Sequence, residues 1–255
     1  MRADQLLVER GLAASRSQAQ RLIASGVQWR LPSHPWQRVE KNGWMLPLHC
    51  EIQLIDDAET RYVSRGGLKL EGALATTGVN PLGQICLDLG QSTGGFTDCL
   101  LQHGAERVVG MDVGHGQLHP RLQNDPRVVC LEKCHARDLA APQSPLLAHT
   151  PAAGWGVVVA DLSFISLTLV LPAIRSVASV RTEVLLLVKP QFELQPADLG
   201  KGGLVKDPSL YLRVQDRLTA ACGDTDFLLL NWLDSPITGG DGNREFFMHV
   251  RRRPT

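Results

Sequence analysis

Apolar positions along this chain follow two different rhythms. In the first sixty residues they are spaced for short amphipathic helices. Residues 2–12 carry an acidic first turn at Asp4, apolar residues at Leu6, Leu7 and Val8, and Gly11 as a stop. Ser15 is placed to cap a second helix over residues 16–24, with Ala19, Leu22 and Ile23 on one face and Arg16, Gln20 and Arg21 toward solvent. Gly26 ends that helix, and short β segments follow at 27–29 and 51–55. Residues 61–67, Arg-Tyr-Val-Ser-Arg-Gly-Gly, read as a linker. Beyond it, short apolar runs recur at 85–89, 107–112, 128–131, 157–161, 183–188, 227–235 and 245–251. Several are continuous, as expected for strands covered on both faces, and the intervals between them are long enough for crossover helices. The pattern predicts an α/β fold with a doubly wound, Rossmann-like sheet over 68–255, antiparallel at its C-terminal end, preceded by a small α+β unit over 1–60.

Composition narrows the class. The 255 residues are 44% hydrophobic and 20% charged, as in an ordinary soluble protein. Formal net charge is zero, so the chain as a whole does not advertise a polyanionic partner. Its N-terminal end does: residues 1–41 hold seven basic side chains (Arg2, Arg10, Arg16, Arg21, Arg30, Arg38, Lys41) against Asp4, Glu9 and Glu40. The six cysteines contain no CxxC pair, and Cys86 and Cys99 lie in apolar surroundings, a usage that fits a reducing compartment. Cys130, Cys134 and His135 lack a fourth ligand at matching spacing, so no metal is expected. Charges interrupt any leader-like apolar stretch near the start. The most apolar segment, 157–174, contains Asp161, Ser163, Ser166 and Pro172, so neither a membrane span nor a membrane partner is expected, and the protein reads as cytoplasmic.

The densest chemistry sits in Asp88-Leu89-Gly90-Gln91-Ser92-Thr93-Gly94-Gly95-Phe96. Glycines at a strand-to-helix turn let backbone approach a ligand, and the helix start adds N–H donors. A P-loop needs G-K-[ST], which is absent, and G-x-G-x-x-G does not fit Gly90 to Gly95. The remaining option is the turn of an S-adenosylmethionine-dependent methyltransferase. Asp88 would then face the methionine part. Asp112, with Val113 beside it at the end of the next strand, would hold the ribose hydroxyls, and Asp138 would accept from the adenine amino group.

Four further charged residues occur where they need a reason. Lys69 follows Ser64-Arg65-Gly66-Gly67-Leu68, Asp161 ends an apolar strand, Lys189 ends another before Pro190, and Glu245 begins a third. Strand ends on the carboxyl side form the crevice of a doubly wound sheet, so Asp161 and Lys189 should point toward the cofactor.

With Y-V-S-R-G-G-L-K-L, L-D-L-G-Q-S-T-G-G-F-T-D, V-V-V-A-D-L-S-F-I-S-L, L-L-L-V-K-P-Q-F-E and G-N-R-E-F-F in place, residues 61–250 resemble the FtsJ-like ribose 2′-O-methyltransferases and their K-D-K-E tetrad. Residues 1–29 resemble an S4 RNA-binding domain through R-x-D-x-L-L-V-E-R-G-L and S-R-S-Q-A-Q-R-L-I; the likeness weakens at Gln28–Pro35, where a V-N-G type turn is usual. Together the chain looks like the TlyA family of bacterial rRNA methyltransferases, some labelled hemolysins. Two positions depart from the family: Gln91 stands where alanine is common, and His135 where asparagine is usual.

The resemblance implies methylation of a cytidine 2′-hydroxyl in ribosomal RNA or a ribosomal subunit, with S-adenosylmethionine as cofactor and Arg2, Arg16, Arg21 and Arg65 on RNA. Lys189 is the candidate general base, a role that burial and a nearby Lys69 favour and neighbouring carboxylates oppose. Asp161 and Glu245 would orient the two lysines. The alternatives are a membrane-active hemolysin, which calls for an amphipathic or apolar membrane segment, and an RNA-binding protein with a degenerate methyltransferase domain. Oligomeric state and target nucleotide are not encoded in these motifs.

Overall fold

The structure, a computed structural model, describes residues 1–13, 15–54 and 61–254; the side chains of Arg21 and Ser25 lie outside that description. The chain divides into two compact units, Met1–Arg65 and Gly66–Thr255.

In the first unit, helices α1 (Ala3–Glu9) and α2 (Arg16–Gly26) precede a three-stranded antiparallel sheet of β1 (Val27–Arg30), β2 (Gln37–Arg38) and β3 (Glu51–Leu54), ordered β2-β1-β3. Ser15 Oγ accepts from the Gln18 N–H at 3.3 Å, the expected cap. Gly11 turns the chain at φ 69°, a conformation that suits glycine. Leu6, Leu7, Ala19, Leu22, Ile23 and Val27 form the core of this unit. The exposed two-residue β2 carries no apolar alternation and gave the sequence no strand signal. The second β segment ends at Leu54; Ile55, expected within it, and the expected boundary at residue 60 fall outside the described residues.

The second unit opens with helix α3 (Gly66–Thr77), so the linker expected over 61–67 loses its last two residues to a helix. Leu70, Ala73 and Leu74 bury one face of α3 and carry Gly66 and Gly67 into its first turn. Then follow β4 (Ile85–Leu89), α4 (Gly95–Gln102), β5 (Arg107–Met111), α5 (Pro120–Gln123), β6 (Val128–Leu131), β7 (Val157–Ala160), α6 (Leu171–Val177), β8 (Glu183–Val188), α7 (Leu210–Asp224), β9 (Phe227–Asp234) and β10 (Phe246–Arg252). The seven-stranded sheet runs β6-β5-β4-β7-β8-β10-β9. Strands β4 to β8 are parallel and β10 is antiparallel to both β8 and β9. This is a doubly wound α/β sheet. Residues 157–160 and 184–188 are wholly buried, which accounts for their unbroken apolar runs. The order reverses between β4 and β7, and ligands of open α/β sheets bind outside the strand ends at such a point.

Candidate active site

The C-terminal ends of β4, β5 and β7 open onto a cavity of about 990 Å³. Its walls include Gly90, Ser92, Asp112, Val113, Arg137 and Asp161. Gly90, just after β4, has φ +81°; a Cβ there would lie 2.4 Å from the Asp161 carbonyl oxygen, so only glycine lets the two strand ends approach this closely. Asp112 follows β5. Its two carboxylate oxygens accept from Ser92 N–H at 2.8 Å and Gly114 N–H at 2.7 Å, which fixes the carboxylate at the cavity wall and leaves acceptor capacity on both oxygens.

Beside the cavity stand two ion pairs. Lys189, just past β8, places Nζ 2.6 Å from Asp161 Oδ1 and 2.9 Å from Ser163 Oγ. Lys69 on α3 places Nζ 2.5 Å from Glu245 Oε2 at the mouth of β10; the two residues are only 8% and 2% exposed. Burial pushes the Glu245 carboxyl above its ordinary range, Lys69 opposes that push, and the charges of Asp161 and Lys189 also reach it. The four residues singled out in the sequence therefore form one electrostatic cluster, with Asp161 as its member on the cavity wall.

Other expected contacts fall elsewhere. Asp88 is fully buried and does not line the cavity. Its Oδ2 accepts from Thr97 Oγ1 at 2.7 Å, and Thr97 in turn accepts from Gln91 Nε2 at 2.9 Å. Burial, against the Thr97 hydrogen bond, raises its pKa to about 7. The Gln91 amide lies over Gly110 of β5, where a Cβ would sit 2.0 Å from it. The atypical Gln91 thus fills space beneath the turn. Phe96, expected near the cofactor, points into the core and stacks on Phe247 with centroids 6.0 Å apart. Gly94 caps α4 at φ +93° against Leu118 and Leu122, Gly95 begins the helix, and Thr93 is exposed; none of the three lines the cavity. Asp138 is exposed and off the wall. It ends the 3₁₀ turn Ala136–Asp138, and with about 120° between successive residues Ala136 and Arg137 face the cavity instead.

The segment after β7, legible in sequence only as part of a family motif, supplies further wall residues. Ser163, Phe164 and Ser166 line the cavity, as does Phe192 from the segment after β8. Phe164 is 90% exposed at φ +62° and meets Phe192 at 5.1 Å between ring centroids. An aromatic residue at positive φ is an outlier of the kind that clusters at functional sites. Its signal was present as the run D-L-S-F-I-S, but side-chain pattern does not reveal φ. Cys134 and His135 lie on the cavity wall as well.

In the first unit Asp4 is fully buried. It accepts from Arg2 Nε and Nη2 at 3.0 Å each, from Arg16 Nη2 at 3.2 Å and from Gln20 Nε2 at 3.4 Å. These donors, Arg2 first, hold its carboxyl well below the usual range. Arg2 and Arg16 remain about half exposed. Arg65 is partly buried, and the side chain of Arg21 is outside the described residues.

The sequence profile of the FtsJ-like methyltransferases matches residues 62–252. A Mycobacterium tuberculosis protein named 16S/23S rRNA (cytidine-2′-O)-methyltransferase TlyA is 42% identical over 253 residues, 98% of this chain and 89% of that protein. A solved structure from Streptococcus thermophilus, described as a candidate hemolysin, is 36% identical and superposes with a TM-score of 0.73, covering 100% of this chain and 89% of that one. A Listeria monocytogenes structure described as a candidate S-adenosylmethionine-dependent methyltransferase shares 14% identity and a TM-score of 0.53, over 74% of this chain and 99% of that one, a likeness of fold alone. Among the described residues no helix is long and apolar enough to cross a membrane.

Proposed function

The chain belongs to the FtsJ-like methyltransferase family, within its TlyA group, and from that premise we propose that it transfers the methyl group of S-adenosylmethionine to the 2′-hydroxyl of a cytidine in ribosomal RNA. The observation that carries the reading is the cluster of Lys69, Asp161, Lys189 and Glu245, joined by its ion pairs at the edge of the strand-end cavity.

The cavity fits the cofactor. Gly90 lines that cavity and lets the Asp161 strand end close against the turn, and Asp112 keeps acceptor capacity for two ribose hydroxyls after binding two backbone N–H groups. Ser92 and Val113 flank that carboxylate, and Ala136 and Arg137 supply the wall for the adenine end. Asp88 and Thr97 act from beneath, by fixing the turn. When bound, S-adenosylmethionine supplies a methyl group already activated on a sulfonium.

The remaining work is positioning and proton removal. A ribose hydroxyl is a poor nucleophile unless its proton leaves as the new bond forms. Lys189 in its neutral form has two N–H groups and one lone pair. Ser163 Oγ accepts one of the N–H groups and the Asp161 carboxylate lies against Nζ at 2.6 Å as its ion-pair partner, an arrangement that leaves the lone pair for the hydroxyl proton. Asp161 then stabilises the ammonium that results. Lys69, held by Glu245, adds a buried positive group that steadies the hydroxyl oxygen as negative charge develops.

The first unit serves RNA docking in this reading. Arg2 and Arg16 present guanidinium groups suited to bidentate phosphate contact, the S4-like sequence pattern assigns Arg21 the same role, and Arg65 is placed on RNA as a basic residue of the Y-V-S-R-G-G-L-K-L motif. The test is to incubate purified protein and S-adenosylmethionine with ribosomal subunits from a strain lacking the modification, then map 2′-O-methyl nucleotides. One or more new 2′-O-methylcytidines are expected. Transfer to a base or to protein, with none to ribose, overturns the reading.

A further inference from the structure

Glu193 takes no part in the chemistry above, yet its carboxylate is almost wholly enclosed, at 3% exposure. One oxygen accepts from Ser166 Oγ at 2.6 Å and the other from the Leu167 N–H at 2.7 Å. Arg217 donates to the main-chain carbonyl of Glu193 at 2.5 Å, which fixes the backbone that carries the side chain. Its oxygens have only neutral donors, and burial pushes the carboxyl above its ordinary range against those two hydrogen bonds and the nearby charge of Arg217, so the carboxylate is costly to keep. It therefore calls for a reason.

The reason lies in what the two segments carry. Residues 161–167 hold Asp161 and Ser163, and residues 189–193 hold Lys189. The segments are fastened at one end by Lys189 to Asp161 and Ser163, in the middle by Phe192 against Phe164, and at the other end by Glu193 on Ser166 and Leu167. Between the fastenings, Phe164 sits at φ +62°. A non-glycine residue in that region is strained and persists only when its surroundings hold it. Without the Glu193 end, the segment is free to relax toward negative φ, which moves Ser163 and Asp161 relative to Lys189.

We propose that Glu193 is a positioning residue for methyl transfer: its carboxylate clamps the segment after β7 onto the segment after β8 and so keeps Asp161 and Ser163 on Lys189. The proposal rests on the reading of Lys189 and Asp161 as the proton-handling pair. The competing account is a carboxylate that stabilises the fold and nothing more.

Three variants separate these accounts: Glu193→Ala removes both acceptors, Glu193→Gln keeps the shape and one acceptor, and Ser166→Ala removes one donor together with the Ser166 cap on the Thr168 N–H. Hydrogen exchange on the cofactor-free protein reads the clamp directly. The Leu167 amide is expected to exchange at least about tenfold faster in Glu193→Ala, and to regain protection in Glu193→Gln. In turnover, kcat should fall about ten- to hundredfold in Glu193→Ala, since misplacing reacting groups by ~1 Å has that scale of effect, with KM for RNA and cofactor nearly unchanged. Glu193→Gln should restore most of kcat, and Ser166→Ala should fall between.

Unchanged Leu167 exchange, or wild-type kcat in Glu193→Ala, overturns the proposal. So does a joint loss of kcat, KM and melting temperature that Glu193→Gln fails to restore, which marks a purely structural role. If Glu193→Ala does not fold, Ser166→Ala decides: wild-type exchange and kcat there count against the clamp. If the wild type itself methylates no ribose, the functional reading fails, and the exchange result still says whether Glu193 holds the segment.

Discussion

Gly90→Ala is the substitution whose consequences follow most directly from the geometry. The residue lies at φ +81°, and a Cβ there would sit 2.4 Å from the Asp161 carbonyl oxygen and 3.0 Å from its carbonyl carbon. Ordinary contact begins at 3.4 Å, so either the turn or Asp161 must give by about 1 Å. Asp161 is not free to do so cheaply, because its N–H is bonded to Leu89 O at 2.9 Å and its side chain to Lys189. Backbone strain of about 1–2 kcal/mol and overpacking of about 1–3 kcal/mol set the stability loss at about 2–5 kcal/mol. That is within the ~5–15 kcal/mol of a typical domain, so the variant should fold. The displacement acts on the residue shared by the cavity wall and the Lys189 pair, and ~1 Å there is worth roughly a hundredfold in rate. Urea unfolding and methyl incorporation into ribosomal subunits measure the two effects side by side. A Gly90→Ala protein with wild-type stability and kcat/KM within about threefold of wild type would refute both the close approach and its link to turnover.

Other consequences are open to test. Asp4→Asn removes a negative charge from the basic unit, which by charge alone should strengthen RNA binding; because Asp4 orients Arg2 and Arg16, affinity should instead fall, by about tenfold if one charge-assisted contact is lost, as read by filter binding across a salt series. The same carboxyl is held below its ordinary range, so it contributes stability above the unfolded pKa that is lost as pH falls through the lower folded value; acid unfolding of the first unit should begin at higher pH in Asp4→Asn. Asp88 has the opposite sign. Its folded pKa, raised to about 7, means that stability is fully present below the unfolded pKa and is lost as pH rises through the folded value. Asp88→Asn should therefore gain on wild type as pH rises from about 4 to about 7, by at most about 4 kcal/mol, in paired urea melts.

Much of the frame was legible because burial on both faces leaves an unbroken apolar run. Residues 85–89 and 183–188 read as strands for that reason and are strands; 128–131 is a strand as well, though half-buried at the sheet's edge. The antiparallel end was legible too, although only β10 reverses. Gly66 and Gly67 misled, since two glycines look like a break; tertiary packing of Leu70 and Leu74 outweighs their poor propensity. The four charged residues stood out because each sits at a strand end or after a break where a charge is unexpected. Phe96 and Asp138, expected near the cofactor, are not on the cavity wall, since not every residue of a motif faces the space the motif encloses. Phe96 supports the turn from the core, and Asp138 lies one step too far around its 3₁₀ turn. Glu193 could not be found from sequence at all, because its partners, Ser166 and Leu167, lie 27 and 26 residues away.

The central claim is that Lys189 removes the ribose proton while other residues hold the cofactor, and Lys189→Ala tests it. Cofactor binding by calorimetry and 2′-O-methylcytidine formation by mass spectrometry should be measured on the same preparation with ribosomal subunits as substrate. The account predicts S-adenosylmethionine affinity close to wild type, because Lys189 does not line the cavity, together with abolished methyl transfer. Turnover at the wild-type rate in Lys189→Ala contradicts it.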